Sequence, residues 1–257
     1  MPPTPPAGVG WRPGRRGVLG ALLSVAAIAA APRSGRAEPA APVDVALVFA
    51  VDVSRSIDEN ESQLQRDGYR EAMTDPRVVE VIEAGALGAI IVAYVEWSGH
   101  DYQRLLLPWT RIASQAEAEG WAAALERAPR ASIGWTSISG GIDFARRLLA
   151  ECPAEAMRKV IDISGDGVNN SGAPPEEARD RAVAEGITIN GLPILNDTPN
   201  FGREPPLPLD EYYRQNVIGG PGAFVVTAEN FESFGQALRR KLLREIAGVA
   251  APPAARG

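Results

Sequence analysis

The run at residues 43–51 (VDVALVFAV) constrains this chain more than any other stretch. It is nearly continuous in apolar residues and rich in valine, which suits a strand covered on both faces, as in a parallel sheet with helices on each side. It stops at a polar turn, Asp52-Val-Ser-Arg-Ser56. Asp58, with Glu61 three residues on, then opens a helical stretch to Thr74 in the manner of a capping box.

The same rhythm continues downstream. Residues 88–97 (GAIIVAYVEW), 159–164 (KVIDIS), 187–195 (ITINGLPIL) and 223–228 read as further strands. Residues 98–101 turn the second strand into an antiparallel hairpin partner over 102–109. Ser114 with Glu117 caps a helix to about residue 128, and further helices are expected over 138–152 and from Pro174-Pro175 to about 185. Asn230 is expected to cap a final helix carrying Phe231, Phe234, Leu238, Leu242 and Ile246 on one face. Alternation at this spacing specifies an α/β domain over residues 43–247, with helices on both faces. Its sheet is doubly wound and mostly parallel, of order 3-2-1-4-5-6, with one antiparallel edge strand. Residues 196–222 break the rhythm: the segment is long and rich in Pro and Gly, with an extended run at 205–208, and loops of that length are functional or disordered. Residues 248–257 read as a disordered tail.

Residues 1–37 hold five arginines and no acid. Arg15 and Arg16 precede a 14-residue apolar run (18–31), and Arg33-Ser-Gly-Arg-Ala37 supplies a small-x-small ending suited to a signal peptidase. A run that short falls below the roughly 20 residues a membrane span needs. The segment is therefore expected to be a cleaved export signal, leaving no stable membrane span and placing the mature chain in the periplasm or otherwise outside the cytoplasm. The arginine pair resembles a twin-arginine signal; a general secretory signal with a basic start is the alternative, and the residues leave both open.

Charge and rare residues exclude several functions. The chain has 26 Lys+Arg against 32 Asp+Glu, a net charge of −6, and without residues 1–37 the balance is 21 against 32, a net −11. Such a surface repels phosphate backbones, so nucleic acid is not an expected partner. One cysteine, Cys152, and one histidine, His100, leave no intrachain disulfide, no Cys/His zinc site and little scope for a histidine-based hydrolytic centre.

The chemistry lies in three loops rich in oxygen: Asp52, Ser54 and Ser56 after the first strand, Thr136 before a helix, and Asp166 after KVIDIS. Taken alone, D-x-S-x-S reads as an Asx turn with a helix cap. In a doubly wound sheet, however, Asp52 and Asp166 stand at the carboxyl ends of the two strands that flank the crevice. Two carboxylates there repel unless a cation joins them, and two carboxylates plus three hydroxyls suit a hard divalent ion.

At these residues the chain resembles the von Willebrand factor A domain with its metal-ion-dependent adhesion site. DVSRS (52–56), GWT (134–136) and GDG (165–167) stand where that family binds Mg²⁺ or Mn²⁺. The resemblance implies direct ligation by Ser54 and Ser56, and by Thr136 in one conformational state, action mostly through water by Asp52 and Asp166, and an open coordination position for an acidic side chain of a partner protein. Arg55 and Trp135 depart from the family's usual small residues, at the rim of the site. The stretch IGGPGAFV (218–225) is similar to the exported bacterial group called domain of unknown function 1194. The expected role is protein binding, not catalysis, with no catalytic residues. The alternative is a metal-dependent hydrolase in which Asp52 and Asp166 serve to activate water, and it needs a base that only His100 or a spare carboxylate can supply. His100 and Asp101 otherwise form a solvated turn, Trp135 is the tryptophan placed for ligand contact, and Cys152 reads as a small buried apolar group.

Overall fold

The computed structural model describes residues 40–129, 134–195 and 207–248, all within the unit formed by residues 39–257. Residues 1–37, expected above to be an export signal, and the residues after 248 lie outside the described residues. Strand β1 (Ala40–Asp52) is the middle of a five-stranded sheet of order β3-β2-β1-β4-β5. It pairs in parallel with β2 (Ile90–Trp97) and β4 (Ala154–Gly165); β4 pairs in parallel with β5 (Ile187–Pro193), and β3 (Gln103–Ile112) is antiparallel at the β2 edge.

Alternation along β1 divides the core. Val45, Leu47, Phe49 and Val51 face one cluster, covered by α1 (Glu59–Thr74), α2 (Pro76–Glu83), α3 (Gln115–Arg127) and α7 (Phe234–Ala247). Ala46, Val48 and Ala50 face the other, covered by α4 (Ile138–Ala150) and α5 (Pro175–Ala184). The first face is filled by aromatic rings: Tyr69 meets Phe49, Tyr94 and Phe234 at centroid distances of 5.0, 5.2 and 5.5 Å, tilted or edge-on. The second face is tighter. A Cβ on Gly141 of α4 would stand 2.9 Å from Trp97, so the helix lies against the strand only because that position is glycine.

Four readings are refined. The sixth strand position is held by residues 223–228, which make two isolated parallel bridges, Gly191↔Val225 and Ile194↔Ala228, in place of a continuous strand. The cause is Pro193: Val226 N–H reaches Gly191 O and Ala228 N–H reaches Pro193 O, but proline has no N–H to return to Val226. Helix α2 was not anticipated; Asp75 caps it by accepting from Arg77 N–H, Pro76 occupies its first turn, and Val78, Val79 and Ile82 are buried. Within 196–222 a short helix, α6 (Leu209–Tyr212), runs into a π-helical turn (Tyr213–Val217), pieces too brief to show a 3.6-residue period and held by burial of Leu209, Tyr213 and Val217. Part of the extended run at 205–208 lies outside the described residues, and Pro208 is the N-cap of α6. Asn230 Oδ1 accepts Ser233 N–H at 2.8 Å and so folds the turn before α7, whose N-cap is Ser233. The expected face of α7 is buried, together with Phe231 ahead of it. Cys152 is half-buried against the second cluster, where burial pushes its thiol pKa up.

Candidate metal centre

The three oxygen-bearing loops meet at the carboxyl ends of β1 and β4. Asp52 closes β1, and its Oδ1 accepts Ser54 N–H at 2.7 Å, the turn that sends Ser54 and Ser56 to one side. Val53 is buried in the opposite sense, with its N–H on Trp97 O at 2.8 Å, while Arg55 is exposed and its N–H reaches Gly134 O at 3.3 Å. Gly134 has φ +90°, a conformation that favours glycine, and a Cβ there would lie 3.1 Å from Ser98 Oγ. Thr136 is locked by the loop after β4: its N–H donates to Asn170 Oδ1 at 2.8 Å, and its carbonyl accepts from Asn170 and Ser171 N–H at 2.9 and 3.1 Å. Ser137 then caps α4.

All five candidate residues come together. Ser56 Oγ donates to Asp166 Oδ1 at 2.8 Å, Ser54 and Ser56 hydroxyls lie 3.2 Å apart, and Thr136 Oγ1 donates to Ser54 Oγ at 3.3 Å. Asp52, Ser54, Thr136 and Asp166 are buried. Among the described residues Asp52 Oδ2 is buried with no hydrogen-bond partner. Burial holds the Asp52 carboxyl well above the usual carboxylate range, and the charge of Asp166 pushes the same way; the hydrogen bond from Ser54 and the dipole of the nearby Asp166 backbone oppose them. A set made only of carboxylate and hydroxyl oxygens, with one buried oxygen unpartnered, fits a hard divalent cation. Among the described residues no group of three or more His, Cys, Asp and Glu side chains forms a metal site.

Two groups at the site escaped the sequence reading. Asn170 latches the threonine loop, and its only sequence signal is the Asn-Asn pair in the GDGVNN turn. Tyr213, in the π-helical turn, is fully buried, and a Cβ on Gly165 would lie 2.9 Å from its hydroxyl and 2.8 Å from Asp52 Oδ2. His100 sits exposed on the β2–β3 turn, with its N–H on Ser171 Oγ, and Trp135 is 59% exposed beside Thr136.

The strand order and the loops at its carboxyl edge define a von Willebrand factor A-like fold. Solved structures share it over 80% of this chain. They include proximal thread matrix protein 1 of the mussel byssus (17% identity, TM-score 0.57, 47% of that chain covered) and the same protein with a zinc-occupied MIDAS motif (19%, 0.53, 48%). The pilus adhesin SpaC of Lactobacillus rhamnosus GG in its open conformation is another (16%, 0.56, 30%). This chain spans about half the length of the mussel protein and under a third of the adhesin. No curated protein matches it. Within the fold, the chain belongs to the family described as "Protein of unknown function (DUF1194)", whose model matches residues 42–250.

Proposed function

We propose that this chain is an exported, metal-dependent protein-binding module. Residues 1–37 serve as its cleaved signal, residues 43–247 form the binding domain, and the centre at the carboxyl edge of β1 and β4 grips an acidic side chain of a partner. The observation that carries this reading is the convergence of three loops, joined by side-chain hydrogen bonds, on a buried Asp52 oxygen with no partner of its own. Ser54, Ser56 and Thr136 would hold a Mg²⁺ or Mn²⁺ ion directly, with Asp52 and Asp166 acting mostly through water. The bound ion supplies a hard Lewis-acid position open to one further oxygen ligand. Electrostatics favours such a device: a chain of net charge −11 without residues 1–37 repels an acidic partner except where a cation reverses the local sign.

The mussel protein with its zinc-occupied motif and the pilus adhesin support a binding role in kind. Hydrolysis needs a base at the attacking water, and the exposed position of His100 on a solvent-facing turn favours binding over turnover. Among the described residues no helix is long and apolar enough to cross a membrane.

Thermal melts of the chain from residue 38 onward, in chelator and in millimolar Mg²⁺, Mn²⁺ or Zn²⁺, test the centre. A metal-dependent rise in Tm, lost in the Ser54→Ala, Ser56→Ala double variant, is the expected result. The absence of any shift would return DVSRS to a helix cap. Pull-down from the native extracytoplasmic fraction with metal or chelator tests the partner, and N-terminal sequencing of cell-derived protein tests cleavage near Glu38.

A further inference from the structure

Tyr213 is a buried side chain beside the candidate metal centre that the five-residue motif leaves unused. Its ring lies in a trench cut by two strand glycines: a Cβ on Gly191 of β5 would stand 2.7 Å from Tyr213 Cδ1, and one on Gly165 of β4 would stand 2.9 Å from its hydroxyl. Both glycines are where the backbone must let an aromatic ring pass. The ring brings a polar group into a fully buried position, and among the described residues that hydroxyl has no hydrogen-bond partner. Asp52 Oδ2 is in the same condition, also within 3 Å of the place a Cβ on Gly165 would take. Two buried oxygens without a direct bond between them therefore lie no more than about two hydrogen-bond lengths apart, a separation that a single bridging water spans.

The two oxygens are chemically complementary. A phenol is a donor, and an ionised carboxylate is only an acceptor. Tyr213 is presented by a π-helical turn, closed by Ile218 N–H on Tyr213 O at 3.0 Å, and such turns are frequent where a helix is distorted to place a functional side chain.

We propose that Tyr213 is a positioning residue of the metal centre: through one bridging water its hydroxyl donates toward Asp52 Oδ2 and fixes that carboxylate in the orientation the ion requires. The inference rests on the metal-binding reading above. It also gives the helix at 209–217 a role: the segment forms part of the support for the centre, so a partner that displaces it loosens the ion.

The test is Mg²⁺ and Mn²⁺ titration of the chain from residue 38 onward, by calorimetry, for wild type and Tyr213→Phe, with thermal melts of both in chelator. Loss of a group that orients a metal ligand weakens affinity by about 10-fold or more, while a ring that merely fills the trench is preserved in phenylalanine. The expected result is weaker binding of both ions with an unchanged Tm in chelator, and a metal-induced tyrosine absorbance difference that wild type shows and the variant lacks. Gly165→Ala, which keeps the tyrosine but drives a methyl between the two oxygens, should weaken binding at least as much, so the proposal stays testable if Tyr213→Phe folds poorly. Wild-type affinity retained in Tyr213→Phe overturns the role of Tyr213 and leaves the metal centre standing. No saturable binding in wild type overturns the centre and the tyrosine's role together.

Discussion

Lys241→Met offers a quantitative test of how α7 is held on the sheet. Lys241 Nζ lies 2.7 Å from Asp162 Oδ2 and 2.6 Å from Glu245 Oε1, with all three side chains sealed from solvent or nearly so, and Asn190 Nδ2 donates to Glu245 at 2.7 Å. One ammonium thus serves two carboxyls. Burial pushes Asp162 up to about 7 and Glu245 adds to that, while Lys241 pulls it down. Methionine keeps the apolar stem but leaves both carboxyls without a cation, a change that costs about 3–5 kcal/mol when a buried pair loses one partner. The orphaned Asp162 carboxyl escapes by taking up a proton, and holding it costs about 1.4 kcal/mol for each pH unit above the unfolded value of about 4.

The sign follows from linkage. A carboxyl whose folded pKa is raised binds more protons in the native state, so stability falls as pH rises through the interval between the unfolded and folded values. Wild-type Asp162 already holds its proton up to about pH 7, so on this account both proteins lose stability together below that value and the variant's deficit widens above it, reaching about 3–5 kcal/mol at pH 8. Urea denaturation followed by far-UV circular dichroism at about pH 5 and pH 8, in chelator, measures it. A deficit below about 1 kcal/mol at pH 8, or one equal at both pH values, would refute the reasoning.

Three further outcomes are expected. Asp166→Asn removes the charge that opposes ionisation of Asp52, so in chelator it should melt at or above wild type; at a hundredfold excess of Mg²⁺ over Kd wild type gains about 2.7 kcal/mol and the variant far less, so the ranking in differential scanning calorimetry should cross. Pro193→Ala restores an N–H opposite Val226 O, and amide exchange should show that new N–H protected, with total stability within about 1 kcal/mol because the added hydrogen bond offsets the lost rigidity of proline. Gly134→Ala forces a side chain into a left-handed conformation and against Ser98 Oγ, and should lower stability in chelator by about 1–2 kcal/mol by urea denaturation.

Residue pattern made some parts of this molecule legible and others not. The capping box at Asp58 and Glu61 and the Val-rich run of β1 act locally, and the observed elements follow them. The crevice between β1 and β4 was legible because a doubly wound order leaves little choice for where Asp52 and Asp166 stand. Tyr213 was not, because nine residues of α6 and π-helical turn carry no period, and its position depends on two glycines on other strands. Pro193 was in plain view, but its effect depends on which way its missing N–H would have pointed, which only the strand pairing decides.

The pairing of β1 with β4 also sets a timetable. Val48 lies against Ile161, and the Ser56–Asp166 hydrogen bond spans 110 positions in the chain. Contacts so far apart in sequence close late, after the entropy of a long loop has been overcome. A chain emerging from the ribosome has Asp52, Ser54, Ser56 and Thr136 in hand well before β4 appears, yet no assembled centre. On the function proposed above, a polypeptide passed outward before that closure travels without an ion, and any ion it then binds is drawn from the compartment in which folding ends.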